Sequence, residues 1–456
     1  MSLARWFLVV ACLVACASPA APGQPAAAKA DVAQDGAAGD AAIDVAAAVD
    51  AAADAFDVAP AKDAADAVDL PQPPTVPGDL PPGVTAQVLS TAPFEAASGF
   101  AKSPDLLLTV PKGAISLLFV VLGKDPGFFS LATAIGPDSV PYGKGSCSAL
   151  CIPCKNRVGA APAIGSALLP SSSDVSLLAG TWHIVSCGFE WLLKSSLFAP
   201  GPWTGSAPET LVFIKTTLDG KLPPEGWLRL RLFCSGGGGV TAAGVLADAR
   251  IAGALEEITK LYEAIGIHVL VAEVHDLPPG HSILTLPSDV TTTGSSDLDL
   301  MVAEASGGGA SIDLFFVDQI LGGGVEGKGV VGGVSGSIPG PAFFHGVPRA
   351  GIAIALTPLG QDPLLIGRTI AHEIGHFLGL WHPTESDGKT FDPITDTPQC
   401  KLAQDTNKDG ILQGTECQGF GADNVMFWLA GNPQATFTQG QGDIARGNPL
   451  ILLKKP

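Results

Sequence analysis

Residues 372 to 382 read HEIGHFLGLWH and hold three of the eight histidines in the chain, with a glutamate beside the first. On a helix, His372 and His376 stand four residues apart and point from one face, one turn above the other. Two neutral imidazoles at that spacing reach one ion. Glu373 follows the first of them, angled so that its carboxylate meets a water at the ion and not the ion itself. Gly379 can take the left-handed conformation that ends a helix abruptly, and the redirected chain then brings His382 to the same ion from another side. Three imidazoles with one open position describe a zinc site that can work on water. The competing reading is a helix whose histidines pack against a core. Gly379 and His382, at fixed spacing from His372, Glu373 and His376, weigh against it.

A second cation motif follows. Residues 405 to 416, DTNKDGILQGTE, fill the ligand positions of a twelve-residue calcium loop: Asp405, Asn407 and Asp409, then Gly410 at the sharp turn, Ile411 offering its carbonyl, and Glu416 last. Pro398 just upstream argues against a preceding helix, so the expectation is a calcium loop without a full helix-loop-helix hand. An acidic surface turn is the alternative. Cys400 and Cys417 flank the loop and could close it with a disulfide.

The elements that must carry these residues begin at Gly226, with a strand GWLRLRLFC and a Gly-rich turn. Ile251, Leu255, Ile258, Tyr262 and Ile265 then mark one face of a helix that ends near Gly266. Strand-like runs IHVLVAEV, IDLFFVDQI, GVVGGVSGSI and AGIAIAL follow, and DPLLIGRTIAHEIGHFLGL reads as a second helix. The predicted order is strand, helix, four strands, helix, with the histidines on a helix leaving the last strand of a mixed sheet.

The set His372, Glu373, His376, Gly379 and His382 resembles the signature of the metzincin metallopeptidases. The resemblance spans roughly residues 226 to 456. Metzincins also need a methionine-bearing turn beneath the zinc, and DNVMFW supplies Met426, one of three methionines in the chain. HEIGHFLGLWH, DPITDTPQC and NVM look most like the pappalysin type. Those relatives usually carry Tyr two residues after the methionine, where this chain has Trp428, so a phenol that could assist at the zinc is missing. The resemblance implies an α+β catalytic domain, Zn2+ on the three histidines and endopeptidase activity on proteins or peptides, with Glu373 as general base. It also implies a substrate lying extended against the sheet edge near GVVGGVSGSI. One rival is a catalytically weak or inactive surface binding protein that retains a zinc-stabilised fold; another is a tethered adhesin, whose expected repeats are not found.

The rest of the chain bears on location. A formal net charge of -19 disfavours nucleic acid and anionic membrane surfaces as partners. The opening MSLARWFLVVACLVACAS resembles a bacterial lipoprotein signal cleaved before Cys16, which would then carry the lipid. An ordinary secretory signal is the alternative, and both lead out of the cytoplasm. Residues 16–82 read as a tether, because from residue 17 they hold eleven Asp against two Lys and one aromatic, too little apolar surface to offset ordering. Residues 83–225 carry short β-prone runs between turns and suggest a β-sandwich. The expected organisation is signal 1–15, tether 16–82, β-rich domain 83–225 and metzincin-like domain 226–456, in a protein exported and lipid-anchored to the cell envelope, at the outer membrane or cell surface. Cys147, Cys151, Cys154, Cys187 and Cys234 point to disulfides in an oxidising compartment, although the CSALCIPC spacing alone also suits a metal. With Cys12 in the signal and Cys16 lipidated, seven cysteines remain, so at least one lacks an intramolecular partner. It is either an idle buried thiol or a thiolate that blocks the zinc. The histidines at 183, 268, 275, 281 and 345 show no ligand spacing.

Overall fold

The computed structural model describes residues 14–17 and 77–456, apart from 91–92, 98–99, 124–126, 145–155, 160, 195–196, 203–204, 207, 287–295, 323–329 and 430–433. After the short strand β1 (Val14–Ala17), a run of strands makes two antiparallel sheets: β2 (Val84–Ser90), β3 (Glu95–Ala97), β4 (Phe100–Lys102), β5 (Leu106–Val110), β6 (Ala114–Leu122), β7 (Phe128–Ile135), β8 (Pro141–Lys144), β9 (Ala161–Pro162), β10 (Ile164–Leu169), β11 (Gly180–Lys194), β12 (Leu197–Pro202) and β13 (Glu209–Thr216). The inner sheet has the order β10-β6-β13-β2. The outer sheet runs β3-β4-β11-β7-β8, with β5 and β12 also on β11 and β9 on β7.

The run AISLLFVVL of β6 lacks polar alternation because both faces of its sheet are covered. Leu117, Phe119, Val212 and Ile214 face the outer sheet and pack with Leu108, Trp182 and Ile184. Leu118, Val120, Leu122 and Phe213 point the other way, into the largest core of the molecule, which they share with the following elements. The Phe213 ring lies 4.9 Å from that of Phe343, tilted by 50°, across that boundary. Lys215 is fully buried there, and its Nζ donates to the carbonyls of Arg446, Asn448 and Ile451 at 2.6, 3.0 and 2.7 Å. The β-rich part is therefore fused to the C-terminal part through a common core.

The C-terminal part comprises β14 (Gly226–Cys234), α1 (Ala249–Glu263), β15 (Ile267–Asp276), β16 (Ile283–Thr285), α2 (Asp297–Val302), β17 (Ile312–Val317), β18 (Gln319–Leu321), β19 (Val330–Ser335), β20 (Ile352–Ala355), α3 (Leu356–Leu359), α4 (Pro363–Leu378) and α5 (Gln439–Gly447). Its sheet has the order β15-β14-β17-β20-β19-β18-β16. The pairs from β15 to β20 are parallel, while β19 runs antiparallel to β20 and β18, which makes the sheet mixed. β1 lies antiparallel along β19, with Cys16 opposite Gly333. The fold is α+β, as expected.

Four elements of the C-terminal part were missed in the sequence, β16, α2, α3 and α5. The first has three residues and the second six, too short for either period to register. A Ser296–Asp299 capping box starts α2 and is the one local signal that could have marked it. The predicted strand IDLFFVDQI is split into β17 and β18 at Asp318, whose backbone N–H donates to Ser282 O at 2.7 Å outside the strand pairing. Ile251, Ile258, Tyr262 and Ile265 form the buried face of α1 and its exit, with Leu255 at the margin. The Tyr262 hydroxyl donates to Ala371 O of α4 at 2.8 Å, which fastens that face to the histidine helix.

Candidate active site

Asp362 caps α4 by accepting from Leu364 N at 2.9 Å, and Pro363 occupies the first turn, where a missing N–H costs nothing. Sixteen residues later Gly379 ends the helix at φ 105°, in the left-handed region. Its N–H donates to His376 O, and the next, Leu380 N, to Gly375 O, both at 2.9 Å. The chain therefore leaves sideways and returns His382 to the side chains of the helix. His372, His376 and His382 are all buried.

Each imidazole is held by its Nδ1. That of His372 donates to Val425 O at 2.7 Å and that of His376 to Leu380 O at 2.8 Å. A carbonyl only accepts, so both Nδ1 atoms carry the proton. His382 Nδ1 donates to Glu385 Oε2 at 2.7 Å. The Nε2 atoms then face one another as lone pairs, His376 to His382 at 3.2 Å and His382 to His372 at 3.3 Å. Lone pairs at that separation repel unless a cation lies between them. A tetrahedron with Zn–N bonds of ~2.0–2.1 Å has edges of ~3.3–3.4 Å, so the three donors fit zinc. Burial, together with the neighbouring His382, pushes the His372 imidazole down to about 3. Burial and the other two rings take His376 well below its ordinary value. Both are neutral, as ligands must be. Among the described residues this is the one grouping of three or more His, Cys, Asp or Glu with ligand atoms close enough to share an ion.

Glu373 is fully buried. Its carboxylate lies against β19: a Cβ placed on Gly333 would come 2.8 Å from Glu373 Cγ and 3.1 Å from its Oε1. Beneath the helix, the turn at 424–426 supports the first ligand through Val425 O and presses Met426 upward. A Cβ on Gly375 would meet Met426 Sδ at 2.3 Å, so the glycine between the ligands makes room for that methionine. Asn424 fixes the turn by accepting from Met426 N at 2.9 Å and donating to Gln441 Oε1 at 2.9 Å. The indole Nε1 of Trp428, two residues after Met426, is buried and has no hydrogen-bond partner among the described residues.

Residues 364–448, which span the helix, the third histidine and the methionine turn, match the peptidase family model described as Pregnancy-associated plasma protein-A. The chain carries a pappalysin-type metzincin domain. The histidine triad lies inside the matched stretch and can hold a metal ion. Among solved structures, the chain is similar to metalloproteinase-II from Bacteroides fragilis, with 15% identity over 41% of this chain and a TM-score of 0.23. It spans 58% of the length of that protein. No curated protein matches the chain significantly.

Within the metzincin domain, the sequence did not reveal Glu385, Gly333, Val425 or Leu380 as parts of the site. Glu385 alone had a signal, lying three residues after the last ligand. Burial by itself would raise its carboxyl, but His382 and Arg157 beside it outweigh that and hold it down to about 2. The calcium-loop residues lie on the far side of this return. Asp405 accepts from Lys408 N and Gly410 N at 2.7 and 2.9 Å, Asn407 from Asp409 N at 2.9 Å, and Asp409 from Ile411 N at 2.8 Å. Glu416 closes the loop by accepting from Thr406 N and Gln413 N at 2.8 and 2.9 Å. Leu402–Gln404 make only a 3-10 turn before it.

Cys400 and Cys417 form the disulfide that closes this loop. Cys187 is disulfide-bonded too, while Cys147, Cys151 and Cys154 lie outside the described residues. Cys234 is a buried free thiol, pushed up to about 11 by burial and then by Asp276, which fits the idle thiol and not a thiolate on the zinc. The other five histidines each pair with carboxylates: His183 with Asp105, His268 with Glu225 and Glu263, His275 with Glu273, His281 with Glu304 and His345 with Asp313.

Proposed function

We propose that the protein is an exported zinc endopeptidase that hydrolyses peptide bonds of proteins. The observation that carries this reading is the convergence of three buried Nε2 lone pairs, each fixed from behind through Nδ1, next to a buried carboxylate. His372, His376 and His382 would hold the zinc, which would supply acidification of water and polarisation of the scissile carbonyl. Glu373 takes the proton of the attacking water on its carboxylate and delivers it to the leaving amine. Its burial against Gly333 keeps the carboxylate in one place and away from bulk solvent. β19 offers main-chain groups to an extended substrate. An inactive binding protein would have no reason to keep the buried Glu373 beside an intact triad.

The test is zinc content together with cleavage of a denatured protein, for wild type and Glu373→Gln. The variant should keep its zinc and lose about 10²- to 10⁴-fold in kcat, because the ligands survive and the base does not. Equal activity in the variant would end the assignment of Glu373.

Calcium is proposed as a second cofactor, held by Asp405, Asn407, Asp409, the Ile411 carbonyl and Glu416. Support comes from the side chains at the first, third and fifth positions, each accepting from the amides two to five residues on, which bends the loop around its own carboxylates. The signal reading of the first fifteen residues, a lipid on Cys16 and a tether over 16–82 place the enzyme at the bacterial cell envelope. None of the helices among the described residues is long and apolar enough to cross a membrane.

A further inference from the structure

The zinc-holding His382 is backed by Glu385, and Glu385 is in turn held by a residue of the β-rich part. Arg157 Nη2 donates to Glu385 Oε1 at 3.0 Å, while the other oxygen of that carboxylate accepts from His382 Nδ1 at 2.7 Å. The guanidinium also lies over the ring of Trp381, 4.1 Å from its centroid and one residue before the ligand. Arg157 is 7% exposed.

Its own support is rigid and belongs wholly to the β-rich part. Arg157 N donates to Ser171 Oγ at 2.9 Å. The preceding Asn156, with no exposed surface, donates to Tyr142 O at 2.5 Å and accepts from Ser171 N at 2.7 Å. Two further contacts from the same part press on the segment that carries the ligand. A Cβ on Gly159 would lie 3.0 Å from the tip of Trp381, and one on Gly379 would lie 2.9 Å from Leu168 Cδ2. The turn at Gly379, the indole of Trp381 and the carboxylate of Glu385 are thus all seated on Arg157, Gly159 and Leu168.

We propose that Arg157 is a positioning residue of the metal centre, and that the β-rich part acts in catalysis by setting the third ligand through Arg157, Glu385 and His382. A carboxylate behind a ligand histidine fixes the ring and raises its basicity, and losing such a partner costs about 10- to 100-fold in metal affinity or activity. Here the carboxylate is itself oriented by a charge from outside the metzincin domain. The two parts form one catalytic unit. This inference rests on the reading of the triad as a zinc site.

The test uses the full chain with Arg157→Met, which keeps an apolar stem against Trp381 and removes the charge, and Arg157→Lys, which keeps the charge. Three quantities are read: the rate of zinc transfer to a chromogenic chelator, the visible absorption of the cobalt-substituted protein, and kcat and KM on a denatured protein. Arg157→Met should release zinc about 10- to 100-fold faster, shift the cobalt bands and lower kcat with KM little changed, and Arg157→Lys should recover part of each. A folded Arg157→Met protein with wild-type zinc release and cobalt bands overturns the proposal. Should that variant not fold, Arg157→Lys is measured alone and combined with Glu385→Gln. Faster zinc release from the single variant, and no added effect in the Glu385→Gln background, supports the route through Glu385. No effect in either, or the same effect in both, overturns it. A wild-type chain that holds no zinc removes the metal-centre reading and this inference with it; a zinc-loaded wild type beside an indifferent Arg157 variant removes this inference alone.

Discussion

Glu373 has room for its carboxylate because residue 333 has no Cβ. Adding one would put it 2.8 Å from Cγ of the glutamate and 3.0 Å from Thr369 Cγ2, so something must shift. The glutamate side chain is the movable partner. Gly333→Ala should therefore keep zinc and fold but lower kcat by about 10-fold or more, since a displacement near 1 Å can cost ~10²-fold; unchanged turnover would mean that the carboxylate is not held against β19. Asp392 gives a pH prediction at the same scale. Burial pushes its carboxyl up to about 7, against the opposing bonds from Thr397 and Ile394 N, and its Oδ2 has no hydrogen-bond partner among the described residues. The folded form thus binds a proton that the unfolded chain, with an ordinary value near ~3.9, releases. Stability from this group is present below pH ~4 and is lost as pH rises through about 7, by up to ~1.4 kcal/mol per unit. Asp392→Asn should flatten that decline. Urea midpoints between pH 4 and 8, taken as wild type minus variant, check it, and parallel curves would refute it.

At the scale of elements, the site is a helix end, a turn and a loop, each with its own terminator. α4 delivers two ligands by periodicity and stops at Gly379, where only the left-handed region lets the chain fold back. The return from His382 to Met426 is long and has little regular structure; the Cys400–Cys417 disulfide and the loop at 405–416 give it order. Calcium binding to that loop would neutralise Asp405, Asp409 and Glu416, and by mass action should raise the melting temperature and slow proteolysis there. Removing calcium alone should lower activity without removing zinc, and Glu416→Gln should weaken the response. Protein stripped of calcium whose melting and activity ignore added calcium would reduce the loop to an acidic turn.

On the scale of the whole molecule, the inner sheet explains why the two folded parts act together. It is buried on both faces, so removing either neighbour would expose Leu118, Val120 and Phe213 on one side or Leu117, Phe119 and Val212 on the other. Contiguous apolar faces of this kind are rarely left exposed on a stable monomer. Lys215 adds three bonds to the C-terminal carbonyls across the same boundary. The proposed lipid on Cys16 gives a prediction at this scale. Cys16→Ser should shift the protein from the membrane to the soluble fraction in its own host, with catalytic activity per molecule unchanged; a variant that still sediments with membranes would rule out the lipid on Cys16.

The sequence by itself determined the metal chemistry, because three ligands and a base were packed into eleven residues whose spacing a helix and a glycine convert directly into geometry. It also determined the mixed sheet, since β14, β15, β17, β19 and β20 are long enough or apolar enough to declare themselves. β16 and α2 were too short to do so. The partners of the ligands were not legible for a different reason. Val425 and Leu380 contribute carbonyls, which every residue has, and Gly333 contributes an absence of atoms. Arg157 is separated from Glu385 by 228 positions and belongs to a part whose connection to the site had no marker in the chain. Tertiary structure decided that connection, by covering both faces of one sheet and so bringing a buried guanidinium to the back of the third histidine.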